Sequence, residues 1–410
     1  MQRVLILSAS SGAGHIRAAS AIEKAFQAKG NFEVRHEDAL KYTSVAFKTF
    51  YSRGYIKMVN TLPGVLGLLY DYADQPWKDE GRRLTIDRMN TLPLVRMINR
   101  EKPDLIIATH FLPAEIISYL ICKKRIDTSL SVVVTDMDVH AMWLQRHYSQ
   151  YFVAMDETKE HLKMLGFDPK SVVVSGIPID PIFSVKKDKL EMRHKYGLDQ
   201  NIPTIYMSSG GFGVGKTEEL LGNLANMKQE AQVLAMCGKN QRLKGRLENL
   251  AYSLPSDSKL KIIPVSYTTE VDEYMSASDI VLGKPGGLTT SEALAKELAF
   301  VIVNPIPGQE ERNADHLLEQ GAAIRCNNLP ALAYKVDSLI SNPERLECLK
   351  QNAAKLAKPD AAFKIVDRVS HDETKMLKNL DAGHHCSGRM KRILRRAEFD
   401  FSRNQELKAI

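Results

Sequence analysis

A double glycine followed by hydroxyl residues and a glutamate is the part of this chain best suited to hold an anion. The stretch is Gly286, Gly287, Leu288, Thr289, Thr290, Ser291, Glu292, directly after the apolar run Ile280–Leu282. A strand, a tight turn and a helix opening succeed one another there. That order aims free backbone N–H groups at a negative group, a diphosphate above all. Glu292 lies inside the helix, spaced to reach a pair of sugar hydroxyls. An ordinary Thr/Ser cap with a helical glutamate would have the same spelling.

Three further segments could take part. Asn304–Ala314 is a proline-bracketed loop carrying Gln309, Glu310 and Asn313, beyond the next strand. Ser8–His15 is a small-residue loop after the apolar run Val4–Leu7, with Gly12, Gly14 and a histidine at its end. Glycines there let backbone approach a ligand closely, and His15 is placed to act on what is bound. Gly210, Gly211, Gly213 and Gly215, followed by Lys216 and Thr217, match the phosphate-binding P-loop pattern literally. No convincing strand ending in a magnesium-binding Asp accompanies them in that half of the chain. A different ligand-facing loop, or a plain turn, fits the same letters.

These loops need strands and helices to position them. Apolar runs at Val4–Leu7, Phe32–Arg35, Leu105–Thr109, Leu130–Thr135, Tyr151–Ala154 and Val172–Val174 predict one α/β unit. His110 and Asp136 then fall at carboxyl ends of strands, where open α/β sheets bind ligands. Thr204–Ser208, Ala231–Met236, Lys261–Val265, Ile280–Leu282 and Phe300–Val303 predict a second unit. Ser175–Phe183 reads as the link. The expected division is a first domain at 1–183, a second at 184–359 and a helical basic tail at 360–410. Residues 41–100 interrupt the first unit with an insertion rich in aromatic and basic residues.

Composition narrows the class. At 410 residues the chain exceeds one ordinary core, so two domains are expected. The formal charge of +7 suits an anionic partner such as phosphate or a lipid surface. No nucleic-acid motif accompanies that charge, so nucleic acid is not expected as a partner. Five scattered cysteines without a CxxC pair argue for a reduced compartment and against a cysteine-rich metal site. The first residues read as a strand rather than a secretory leader. No apolar run is long enough to span a bilayer.

With these segments in place, the chain resembles the monogalactosyldiacylglycerol synthase and processive diacylglycerol glycosyltransferase family. These are relatives of the peptidoglycan glycosyltransferase that makes lipid II. Ser10–His15, Gly283–Ala293 and Asn304–Ala314 carry the likeness, and the α/β rhythm agrees over about residues 1–360. The resemblance implies a GT-B fold, two Rossmann-like domains facing across a cleft. It implies an inverting transfer of a hexose from UDP-glucose or UDP-galactose to diacylglycerol or a glycosyl-diacylglycerol. No bound metal and no further cofactor are implied. Gly210, Gly211, Gly213, Gly286, Gly287, Leu288, Thr289, Glu292, Gln309, Glu310 and Asn313 would line the donor site. Within it, Gly286 and Gly287 would hold diphosphate, Glu292 the ribose, and Gln309 and Glu310 the sugar. Gly12, Gly14, His140 and Trp143 would face the acceptor. Two other readings stay open, a P-loop nucleotide-binding protein and a transferase using a polyprenyl-linked acceptor.

The reaction asks for a base to deprotonate a lipid hydroxyl and for stabilisation of the leaving diphosphate. His15 is the first candidate base, since imidazole titrates near the working pH. Asp136, in Thr135–Trp143, is the second, and His110 the third. The insertion at 41–100 suits an anionic membrane surface, with apolar groups entering the interface and Lys and Arg meeting headgroups. The expected location is peripheral, on the cytoplasmic face of the cell membrane. A pair of ordinary core helices would also account for the insertion.

Overall fold

A computed structural model of the chain describes residues 1–49, 58, 61–76, 91–208 and 217–371. Two six-stranded parallel sheets organise it. The first contains β1 (Gln2–Ser8), β2 (Phe32–Asp38), β3 (Leu105–Ala108), β4 (Ser129–Val133), β5 (Gln150–Val153) and β6 (Val172–Val174). Their order is β2-β1-β3-β4-β5-β6. The second contains β7 (Thr204–Ser208), β8 (Ala231–Gly238), β9 (Leu260–Ser266), β10 (Ile280–Gly283), β11 (Ala299–Val303) and β12 (Ala323–Cys326). Their order is β12-β11-β10-β7-β8-β9.

The central strands are continuous apolar runs because helices cover both faces of a parallel sheet. Val4, Leu5, Ile6 and Leu7 are all buried, whereas the edge strand β2 alternates exposed and half-buried positions. Strand β12 was not expected from the sequence. Its four residues Ala-Ile-Arg-Cys are too short and mixed to stand out locally, and pairing with β11 makes them a strand.

Strand order reverses between β1 and β3 in the first sheet and between β7 and β10 in the second. Ligands bind outside strand carboxyl ends at such reversals. The Ser8–His15 loop follows β1, and His110 follows β3. The Gly286–Gly287 turn follows β10. Both reversals therefore bring the chemically suggestive loops to one side of their sheets.

Six helices matter for the site. They are α1 (Ala13–Lys29), α2 (Pro63–Ala73), α3 (Phe111–Cys122), α4 (Gly287–Ala295), α5 (Gln309–Glu319) and α6 (Ala361–His371). Helix α1 packs on α4, and one buried cluster runs through Ala18, Met137 and Ile177 into Leu288, Ala293 and Ala314. The two domains thus share a core across their interface. Helix α6 corrects the sequence division, which placed residues 360–410 in a tail. Its buried Ala362, Ile365, Val366 and Val369 join the core of the first domain beside Ile22 and Phe26. Lys29 and Asp367 seal that contact at 2.7 Å. An apolar stripe needs a partner, and the open flank of α1 supplies one.

Candidate functional site

The first loop delivers His15 with a defined tautomer. Gly12 is the extended N-cap of α1, so His15 lies in the first helical turn. Its Nδ1 is 3.0 Å from the Thr109 carbonyl and 2.9 Å from Thr135 Oγ1. A carbonyl only accepts, so Nδ1 carries the proton and Nε2 keeps a lone pair. No hydrogen bond reaches Nε2 among the described residues. Thr109 holds the same turn from below, donating its hydroxyl to the His15 carbonyl at 2.9 Å. Burial lowers the His15 pKa from 6.5 to about 4, so the ring is neutral at physiological pH.

His110 packs edge-on against His15 with ring centroids 4.5 Å apart. It caps α3: Nδ1 accepts the Leu112 N–H at 3.1 Å, and Nε2–H donates to Ser11 Oγ at 3.0 Å. Both of its nitrogens are engaged within the protein. Burial, with His15 alongside, holds it well below the ordinary histidine range. Trp143 lies 6.3 Å from both imidazoles and forms the third wall.

Asp136, just beyond β4, is 7% exposed. Its Oδ1 accepts from Gln309 Nε2 at 2.6 Å, and the Trp143 indole N–H also donates to it. Burial raises its pKa to about 6. Glu310 follows Gln309 on α5, and its Oε2 accepts the Ile306 N–H at 2.7 Å. Burial pushes Glu310 up to about 7, with Asp136 adding to the rise. A carboxyl protonated near neutrality can donate a hydrogen bond as well as accept one. Asn313, one turn on, straps the domains together. It accepts the Met137 N–H at 2.9 Å and donates to the Pro285 carbonyl at 3.0 Å.

The glycine turn meets the first domain face to face. Gly286 is the extended N-cap of α4 and leaves the first N–H groups without a side-chain cap. At Gly287 the reason for glycine is space, since a Cβ would lie 2.1 Å from the Thr135 carbonyl oxygen. Thr135 therefore touches the turn with its backbone and His15 with its hydroxyl. Gly14 faces Leu288, and a Cβ there would lie 3.5 Å from Leu288 Cδ2, an ordinary contact. Thr289 is half-buried on α4. Glu292 is 1% exposed, and its carboxylate is ion-paired with Arg17 of α1.

His140 has a structural duty that the sequence did not suggest. Nδ1 accepts the Met142 N–H at 3.1 Å, and Nε2–H donates to the Tyr70 carbonyl at 2.9 Å. It thereby anchors α2, a piece of the insertion, beside the cleft. Asp74, past the end of α2, accepts the Ala141 N–H at 2.7 Å and Arg312 Nη2 at 2.5 Å. Arg312 also donates to Asp138 at 2.9 Å, and its guanidinium lies 5.3 Å from the centre of the Tyr70 ring. Gly308 sits at φ +86°, and a Cβ there would come 2.6 Å from that ring.

The structure thus brings His15, Asp136, Trp143, Gly287, Gln309, Glu310 and Asn313 into one interdomain cluster. Gly210, Gly211 and Gly213, with Lys216, lie outside the described residues. Sequence reasoning missed Arg17, Tyr70, Asp74 and Arg312. Arg312 lies within the Asn304–Ala314 segment and Tyr70 within the insertion, but each of the four finds its partner through tertiary contact alone.

Comparison with known proteins identifies relatives over most of the chain. Residues 15–179 match the monogalactosyldiacylglycerol (MGDG) synthase family, and residues 188–356 match glycosyl transferases group 1. The processive diacylglycerol beta-glucosyltransferase of Bacillus cereus is 30% identical over 370 residues, 90% of this chain and 93% of the relative. The enzyme of the same name from Bacillus pumilus is 29% identical over 355 residues, 87% and 91% of the two chains. Among solved structures, MurG of Acinetobacter baumannii superposes with a TM-score of 0.61 at 16% identity, covering 90% of this chain and 99% of that one. Anabaena HepE in complex with UDP-glucose superposes at 0.51 with 15% identity, covering 90% and 100%. These two likenesses speak to the fold, which is GT-B.

Proposed function

The chain belongs to the processive diacylglycerol beta-glucosyltransferase family, and from that premise we propose how it works as a glycolipid-forming transferase. The donor is a UDP-hexose, UDP-glucose or UDP-galactose. The acceptor is diacylglycerol or a glycosyl-diacylglycerol. The relatives' name favours glucose and repeated addition. It also favours a single displacement, since attack opposite an α-linked UDP yields a β-glycoside.

His15 Nε2 takes the proton from the acceptor hydroxyl as oxygen attacks the anomeric carbon. The bond to UDP breaks, and the diphosphate leaves toward the Gly286–Gly287 turn. The observation that carries this reading is the Thr135 bridge between His15 and that turn. It supports a base that faces the leaving group across the domain boundary. Uncapped N–H groups at the start of α4 stabilise charge on the diphosphate with no metal required. Asp136 is already bonded to Gln309 and Trp143. We assign it to orienting those two groups. Gln309 and Glu310 address the sugar hydroxyls, and Glu292 the ribose.

The location in this reading is peripheral, on the cytoplasmic face of the membrane, and helix α2 supports the surface contact. Leu62, Val65, Leu68, Leu69 and Tyr72 are exposed at 56, 46, 73, 49 and 59% along one stripe. Among the described residues, no helix is long and apolar enough to cross a membrane. The replacement Leu68→Asp is expected to weaken binding to anionic liposomes by about ten- to a hundredfold, because one buried leucine is worth about 1.5–3 kcal/mol. UDP binding should not change. Flotation of the variant with liposomes checks this, and undiminished flotation would remove α2 from the membrane face.

The function itself is tested by incubating the protein with diacylglycerol liposomes and a panel of labelled UDP-sugars. Labelled glycosyl-diacylglycerol from UDP-glucose or UDP-galactose is the expected product. Label only on a polyprenyl phosphate supplied in parallel, or on no lipid, would overturn the reading.

A further inference from the structure

The Arg17–Glu292 ion pair sits where the nucleotide is placed by the reading above, and this inference rests on that reading. Glu292 has a side chain 2% exposed, whereas Arg17 is 45% exposed. The two residues lie 275 positions apart and belong to different domains. A carboxylate so deeply buried requires a partner. Arg17 is the one its oxygens find among the described residues.

We propose that Arg17 exchanges partners during the cycle: it holds Glu292 in the empty enzyme and moves to the diphosphate when ribose takes that carboxylate. A ribose diol offers two O–H donors, and one of them competes for the Oε1 that the guanidinium holds. A diol that bridges both carboxylate oxygens displaces the guanidinium from Oε1. The guanidinium must then leave, and the structure indicates where it goes. Helices α1 and α4 pack with Gly14 against Leu288, about one turn nearer their N-termini than Arg17 and Glu292. Arginine side chains on helices lean toward the N-terminus. The swing from Glu292 to Gly287 spans five helical residues, about 7.5 Å, comparable to the length of the arginine side chain. At its end lies the uncapped start of α4, where the diphosphate is placed. A guanidinium matches phosphate oxygens bidentately, which an isolated helix terminus does not.

The acceptor domain thereby supplies a cation to the leaving group once the donor is loaded. In the empty enzyme the same cation keeps the ribose carboxylate neutralised and the domains latched. Release of UDP restores the latch. Arg17 makes no covalent bond in this scheme.

Calorimetric titration of uridine and of UDP separates the two halves of the exchange, because uridine has the ribose without phosphates. The full chain is compared with Arg17→Ala, Arg17→Lys and Glu292→Gln, without acceptor. Circular dichroism establishes that each variant is folded. In Arg17→Ala, uridine is expected to bind about three- to tenfold tighter, since no cation has to be displaced. The preference for UDP over uridine should shrink about tenfold or more, and Arg17→Lys should recover part of it. Unchanged or weaker uridine binding in Arg17→Ala would overturn the competition. An unchanged UDP-to-uridine ratio would overturn the move to diphosphate. Uridine affinity unaffected by Glu292→Gln would instead refute the ribose assignment, leaving the ion pair as a simple interdomain contact.

Discussion

Sugar transfer disappears in His15→Ala while UDP binding stays within about twofold of the parent. The expected drop in kcat is about a thousandfold, inside the range of about 10²–10⁴ for a positioned general base. The site prepares His15 for this work in three ways. The Thr109 carbonyl accepts the Nδ1–H hydrogen bond, so the lone pair is on Nε2. Burial keeps the ring neutral by lowering its pKa to about 4. Thr135 fixes the ring relative to the donor turn. The pH profile of kcat/KM tells the candidate bases apart, because it reports the free enzyme. A base is active when deprotonated, so activity is lost as pH falls through its pKa. With His15 as base the acid limb of kcat/KM lies near pH 4; with Asp136 it would lie near pH 6. Substantial transfer by His15→Ala, with a limb near 6, would transfer the role to Asp136.

The second large effect is expected at Gly287. In Gly287→Ala, kcat/KM falls about a hundredfold although both domains still fold. The three nearest atoms to the added Cβ all belong to the first domain or the link: the Thr135 carbonyl oxygen at 2.1 Å, Ile177 Cδ1 at 3.1 Å and the Thr135 carbonyl carbon at 3.2 Å. Backbone cannot yield as a flexible side-chain tip would. The domains must stand apart by an ångström or more, and a misplacement of about 1 Å costs roughly a hundredfold in rate. Steady-state kinetics on liposomes, with circular dichroism to establish folding, checks this. A fully active Gly287→Ala enzyme would show that the close approach of Gly287 to Thr135 is not needed in turnover.

Much of the fold was legible because it is local. Buried runs such as Val4–Leu7 and Ile280–Leu282 declare parallel strands, and glycine-rich turns after them declare helix openings. The GT-B expectation agrees with two parallel sheets and with the solved structures that superpose on them. Legibility stopped where identity depends on a distant partner. Helix α6 carries an apolar stripe that the sequence could not direct to α1 rather than to solvent-facing tail. The resemblance implies that His140 faces the acceptor. Its two nitrogens cap a turn and anchor the Tyr70 carbonyl, partners that no local pattern announces. The Gly210–Thr217 match to a P-loop lies outside the described residues.

By itself the sequence determined the two α/β units, the loops that could hold a diphosphate, and the residue types available for acid–base work. Those properties follow from periodicity and turn chemistry within a few residues. Only the tertiary structure decided which atom of His15 is free, which backbone Gly287 must clear, and which cation Glu292 keeps. Thr109 is 94 positions from His15, and Glu292 is 275 from Arg17. Such pairings arise when two domains share a core and bury polar groups together. Burial then sets tautomer, charge and partner at once, through distances that no local pattern encodes.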